Sequence, residues 1–564
     1  MTKYPIFIAV ITNFCFSSVL AETFSGYYLA ARQANHLDDF EASAHFNSQL
    51  IALDASNISI LESLIVAKVA IGDIKGAMQL SDTLAKLGAT SQMFHLLNIA
   101  KAAKAKNFDT ILVQLESQKN VGHHLVNGLI KGWAMAGRGQ LADAFAQFDK
   151  LATNPGLANF GIFHKALLYV AISDYQSASE ILADLYTSSG QTSVRGTRIH
   201  IQALMMQGDF DKADKLFEKS FGGEPSLQLV ALKNDLKARR QPQKLLITEP
   251  GDGIAEIFFS VARILSSDEN DQYTLAYARL AEYLLKETTE AILLSAQILS
   301  NMEQFDLATR SFSLINANDP LYTAAQIGKA DALSQSGKYE EAIEVLQELI
   351  IIAPEMVTAY QALGDDFRSI NRFDDSVLSY SSALDLMRGK NTTNWILYYS
   401  RGIAYEQLGD WINAEKDFRR ALEIKPDQPY VLNYLGYSLV EKQLKLEEAL
   451  SLIEKAVSLR PESGYIVDSF GWVLFRLSRF VEAVSHLEKA AKLMPVDPIV
   501  NDHLGDVYWA VGRKREARFQ WNRALSFDPE AADQARIVKK LEIGLDQVLI
   551  EEGNNLLELS KSDD

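Results

Sequence analysis

Three stretches of this chain are near-copies of one another, laid end to end. They are Leu432-x-x-Leu435-Gly436-x-x-Leu439, Val467-x-x-Phe470-Gly471-x-x-Leu474 and Asn501-x-x-Leu504-Gly505-x-x-Tyr508. Each is followed by a small residue and a large apolar one four further on: Ala449/Ile453, Ala483/Leu487 and Ala517/Trp521. Each closes on an alanine and a proline: Ala456/Pro461, Ala490/Pro495 and Ala524/Pro529. The glycines at 436, 471 and 505 are 35 and 34 residues apart. Apolar residues at i, i+3, i+4 and i+7 form one face of a helix. Glycine and alanine allow two helices to cross closely, and proline stops a helix. A unit of this length is therefore a helical hairpin. One hairpin cannot bury its apolar face alone, so the units must stack.

Large–x–x–Leu–Gly–x–x–Tyr followed by Ala–x–x–x–Phe and Pro, on a 34-residue period, resembles the tetratricopeptide repeat (TPR) family. The resemblance implies an all-α superhelical solenoid of stacked hairpins. The register extends over nearly the whole chain when each unit is anchored on the large residue three before the small second-helix position. Phe40/Ser43, Ile74/Ala77, Phe108/Ile111, Leu141/Ala144, Tyr175/Ala178 and Phe210/Ala213 anchor six degenerate units. Phe305/Ala308, Tyr339/Ala342, Phe373/Ser376 and Trp411/Ala414 lead into the three clear units. Thr274-x-Ala276 marks one more unit, with a lengthened turn at 266–271.

Turn residues interrupt this periodicity at Arg239-Arg240-Gln241-Pro242 and Glu249-Pro250-Gly251-Asp252-Gly253. The expected organisation is a signal peptide at 1–21, a degenerate array of about six units at 22–227 and a connector at 228–254. A second array of about eight units follows at 255–531, then a capping helix and loose tail at 532–564. Ile537, Val538, Leu541, Leu545, Val548 and Leu549 share one face of the cap, with Lys539, Lys540, Glu542 and Asp546 elsewhere. Residues 22–254 hold 22 Lys and Arg against 23 Asp and Glu, whereas 255–564 hold 32 against 49. The second array would attract a basic partner and disfavour nucleic acid.

Lys3, the apolar run Pro5–Phe16 and Val19-Leu20-Ala21 have the form of an export signal. Cleavage after Ala21 would remove Cys15, the sole cysteine. A lipid on Cys15 would instead anchor the chain to a membrane, but Phe14 before it suits lipid processing poorly. The expected location is the periplasm, possible envelope association included. No Gly-rich phosphate loop is present, and Gly251-Asp252-Gly253 reads as a turn. The adjacent histidines His123-His124 point to different helix faces, so they make no metal pair. Asp268–Asp271 lacks calcium-loop spacing. No enzyme activity, metal or cofactor is expected.

In TPR arrays the first helix of each unit lines a concave surface, as the resemblance implies. Its inward positions here are Tyr399 and Glu406, then Tyr430, Asn433, Tyr437 and Glu441. Tyr465, Asp468, Trp472, Phe475 and Arg476 follow, then Asp502, Asp506 and Trp509. Asn433, Tyr437, Asp468, Trp472, Asp502, Asp506 and Trp509 are expected at the centre of a protein- or peptide-binding groove. The alternative is that such rings pack against the neighbouring unit. Residues 429–531 also look like exported TPR proteins of Gram-negative bacteria, among them adaptors of carboxyl-terminal processing proteases. That resemblance implies a non-enzymatic scaffold presenting envelope substrates to a periplasmic protease. The other readings are an envelope-assembly factor without a protease, or a subunit of an enzyme complex.

Overall fold

The computed structural model describes residues 24–117, 124–154, 156–189, 193–222, 227–242, 244–267, 271–285, 288–388 and 394–553. The export signal, Cys15, His123, the tail 554–564 and most of the acidic run 268–271 lie outside them. The described residues form 31 helices and no strand.

The hairpins share one construction. Phe40, Ile74, Phe108, Leu141, Tyr175, Phe210, Phe305, Tyr339, Phe373 and Trp411 are each the first residue of a second helix. Two residues before each anchor stands a residue with positive φ, such as Asp38, Gly72, Lys106 or Gly139. At 139 the geometry is that of a Schellman turn. Gly139 N–H donates to Ala136 O and Gln140 N–H to Met135 O, at 2.9 and 3.0 Å. The turn satisfies the last carbonyls of the first helix and reverses the chain. Glycine takes this conformation without strain, and Asp38 and Lys106 take it at a small cost. The motif glycine of the first helix serves close approach instead. A Cβ at Gly505 would lie 2.4 Å from the Trp521 ring.

The molecule divides into two compact units, residues 1–349 and 350–564. The division does not fall at 228–254. Leu227–Lys237 is a helix, and the turn-like run at 249–253 begins another, Pro250–Leu265. Pro250 occupies the first turn, where its missing N–H is no loss. Glu249 and Asp252 form a reciprocal cap, with Asp252 Oδ2 accepting from Glu249 N–H at 3.1 Å. This helix and Gln272–Leu284 form a hairpin that packs against the first helices of earlier hairpins. Pro250–Leu265 lies on His124–Gly137 and Ala158–Ala171, and Gln272–Leu284 on Ile58–Ala70 and Gln92–Lys104. Ile254, Phe258, Leu275, Tyr277 and Leu280 are buried in one continuous core with Leu61, Leu97, Trp133 and Leu167. Polar contacts seal the packing: Arg279 Nε donates to Ala70 O at 3.2 Å, and Arg195 pairs with Glu256 at 2.6 Å.

In the second unit the first helices are Val357–Ser369, Trp395–Gln407, Pro429–Glu441, Gly464–Arg476 and Pro498–Ala510. Each is followed by its second helix, the last being Lys514–Leu525. The expected single capping helix is two, Ala531–Ile543 and Leu545–Glu551, broken at Gly544 with φ 83°.

Candidate functional site

Among the described residues there is no group of three or more His, Cys, Asp or Glu side chains able to hold a metal ion, and no helix long and apolar enough to cross a membrane. What the second unit offers is the row of its first helices. The seven residues expected at the centre of a groove lie on that row, but six of them are buried between adjacent helices.

A ladder of polar contacts joins each first helix to the next. Asn433 Nδ2 donates to Ser469 Oγ at 3.2 Å. Asp468 meets His503 Nδ1 at 3.0 Å. Asp502 and Asp506 both accept from Lys540 Nζ, each at 2.7 Å. Lys540, which helix-face counting leaves on the polar side of the cap, is fully buried. Its four methylenes are covered and its charge meets two carboxylates. Asp506 also accepts from Trp521 Nε1 at 2.9 Å. The aromatic members behave likewise. Trp472 stacks on His503 with ring centroids 4.0 Å apart, and its Nε1 donates to Glu441. Trp509 packs on Trp521 and donates to Asp546 at 2.9 Å. The packing alternative holds for these rings. The reason is geometric: the fifth, ninth and twelfth positions of a first helix point at the neighbouring first helix, whose side chains close over them.

Burial marks the titration of this ladder. His503 is pulled down by burial, but the Asp468 carboxylate, with Asp502 and Asp506 behind it, holds its pKa above the ordinary histidine value. Asp502 is pushed up by burial and by Asp506, with Lys540 opposing.

Open surface remains at the second position of consecutive helices. Tyr430 is 43% exposed and Tyr465 51% exposed. Tyr399 and Tyr437 are half-buried beside them. Their hydroxyls sense one another. Tyr399 is pushed up to about 12 by burial, then by Tyr465 and Tyr430. Tyr465 is raised by burial, then by Asp468 and Glu406, although half of it is open to solvent. Tyr437 is raised by burial and then by Glu441, with Arg476 opposing. Four tyrosines, Glu406, Glu441 and Arg476 thus lie near one another. Sequence reading named all of these; the partners Ser469, His503 and Lys540 escaped it.

Models of tetratricopeptide repeats match residues 395–428 and 293–357. The chain carries tetratricopeptide repeats. A TPR repeat-containing protein of Pseudomonas aeruginosa is 30% identical over 155 residues, 28% of this chain and 26% of that protein. Tetratricopeptide repeat protein 13 of Homo sapiens is 24% identical over 176 residues, 30% of this chain and 20% of that protein. The chain therefore spans about a quarter or less of these relatives. Among solved structures, the Cut9–Hcn1 hetero-tetramer of APC/C aligns over 93% of this chain and 99% of that one, at 14% identity and a TM-score of 0.39. YrrB, described as a TPR protein with an unusual peptide-binding site, aligns over 33% of this chain and 94% of its own, at 19% identity and 0.28. Superpositions this loose carry no argument about the present chain. Tetratricopeptide folds as a class bind other proteins or peptides, and these repeats suggest a protein-interaction scaffold.

Proposed function

We propose that the chain is a non-enzymatic scaffold of the bacterial cell envelope, binding a protein segment along the tyrosine-lined face of its second unit. The observation that carries this reading is the recurrence of exposed tyrosine at one helical position, Tyr430 and Tyr465, with Tyr399 and Tyr437 beside them. Tyrosine offers rigid contact area at low entropic cost, and Glu406, Glu441 and Arg476 supply polar contacts around it. Export is supported by Lys3, the apolar run and Val19-Leu20-Ala21. The likeness of 429–531 to exported adaptors of processing proteases supports the finer reading, in which the scaffold brings envelope substrates to such a protease.

The test uses the mature chain as bait for envelope proteins, then measures affinity for each partner recovered. Replacing Tyr430 and Tyr465 together by alanine should leave the helix content unchanged, because both rings are open to solvent. Binding should weaken by about tenfold or more, as loss of two aromatic anchors requires. Unchanged affinity in a folded double variant would move the binding face elsewhere. Recovery of a carboxyl-terminal processing protease would support the adaptor role, and its absence would sink it.

A further inference from the structure

Many cations in the second unit are paired with carboxylates. Arg372, Arg401, Arg419, Arg420, Arg479 and Arg513 each lie 2.6–2.8 Å from a carboxylate. The helix Lys514–Leu525 gathers four that are not. Among the described residues, Lys514, Arg515, Arg518 and Arg523 have no carboxylate at ion-pair distance. Three of them meet uncharged groups. Arg518 donates to Leu541 O and Arg523 to Pro495 O, both at 2.7 Å. Lys514 Nζ sits 4.7 Å from the Trp509 ring centroid. These contacts orient the cations without cancelling their charge. Arg515, Arg518, Phe519 and Asn522 follow i, i+3, i+4 and i+7 spacing and are all exposed, so they form one stripe. Phe519 is 65% exposed within it.

We propose that this stripe is a second docking surface, distinct from the tyrosine face, for an acidic protein segment that carries an apolar side chain for Phe519. Arginine around one exposed aromatic ring is the composition of interaction hot spots. Charge complementarity selects an anionic partner, and the surroundings select a narrow one. Residues 350–564 hold 26 Lys and Arg against 34 Asp and Glu. A bilayer of anionic lipid would meet the whole acidic surface and be repelled, whereas a single chain can lie along one helix within a Debye length.

The experiment measures binding of a labelled twelve-residue peptide of glutamates and leucines to the full mature chain at low ionic strength. Phosphatidylglycerol vesicles form the second arm. The peptide should bind, and Arg515→Glu combined with Phe519→Ser should weaken it about tenfold with the helix content retained. Tyr430→Ala with Tyr465→Ala should leave it unchanged, which separates this surface from the tyrosine face. Absence of peptide binding, equal binding by the Arg515→Glu/Phe519→Ser variant, or binding of the vesicles in preference to the peptide overturns the proposal.

Discussion

At the scale of single residues, the polar ladder sets both stability and its pH dependence. Lys540 neutralises two buried carboxylates, so its replacement leaves them with Arg536 alone, at 3.8 and 3.5 Å, as a cationic partner. Lys540→Met should destabilise the second unit by about 3–5 kcal/mol in urea titrations. Changing Asp502 and Asp506 to asparagine in the same chain should restore most of that loss, because no buried charge then remains. His503 adds a pH term. Its folded pKa is raised, so its pairing with Asp468 contributes fully below the unfolded value near 6.5 and is lost as pH rises through the folded pKa. Asp468→Asn should therefore cost more stability at pH 6 than at pH 9. An equal cost at both values would mean that His503 stays neutral in the fold.

At the scale of elements, the hairpin Pro250–Leu265 and Gln272–Leu284 decides the organisation of the first unit. Its tightest point is Gly253, where a Cβ would stand 2.1 Å from the Trp133 ring. Neither the helix start nor the indole can move away, because both are enclosed. Gly253→Ala should destabilise the first unit by about 1–3 kcal/mol through overpacking. Hydrogen exchange should show the loosening concentrated in residues 250–284 and 124–137. Protection unchanged there would show that the packing relaxes without cost.

At the scale of the molecule, the boundary lies at 349/350, and autonomy should follow it. A fragment of residues 354–564 keeps its hairpins and both capping helices, so it should fold by itself. A fragment beginning at residue 254 keeps the inserted hairpin but lacks the helices it packs on. In limited proteolysis, residues 254–349 of that fragment should be cut quickly while the remainder resists. Resistance throughout would mean that the hairpin finds sufficient cover elsewhere.

Repeat period, helix class and hairpin boundaries were set by local rules, and the sequence alone determined them. An anchor such as Phe40 or Trp411 opens a second helix because a left-handed turn two residues earlier ends the first, and both signals lie within a few residues. The same locality misled at 249–253, where Pro-Gly-Asp-Gly suits a turn and a capped helix start equally well. Tertiary structure decided what local pattern cannot express. Whether Asp502 faced solvent or Lys540 depended on a helix 38 residues away, and whether the first array's inner helices stayed open depended on a hairpin about 200 residues beyond Ile58–Ala70. Helical periodicity assigns a side chain to a face. Only the neighbour that arrives on that face determines whether it stays open, as at Tyr465, or becomes a buried contact, as at Asp506.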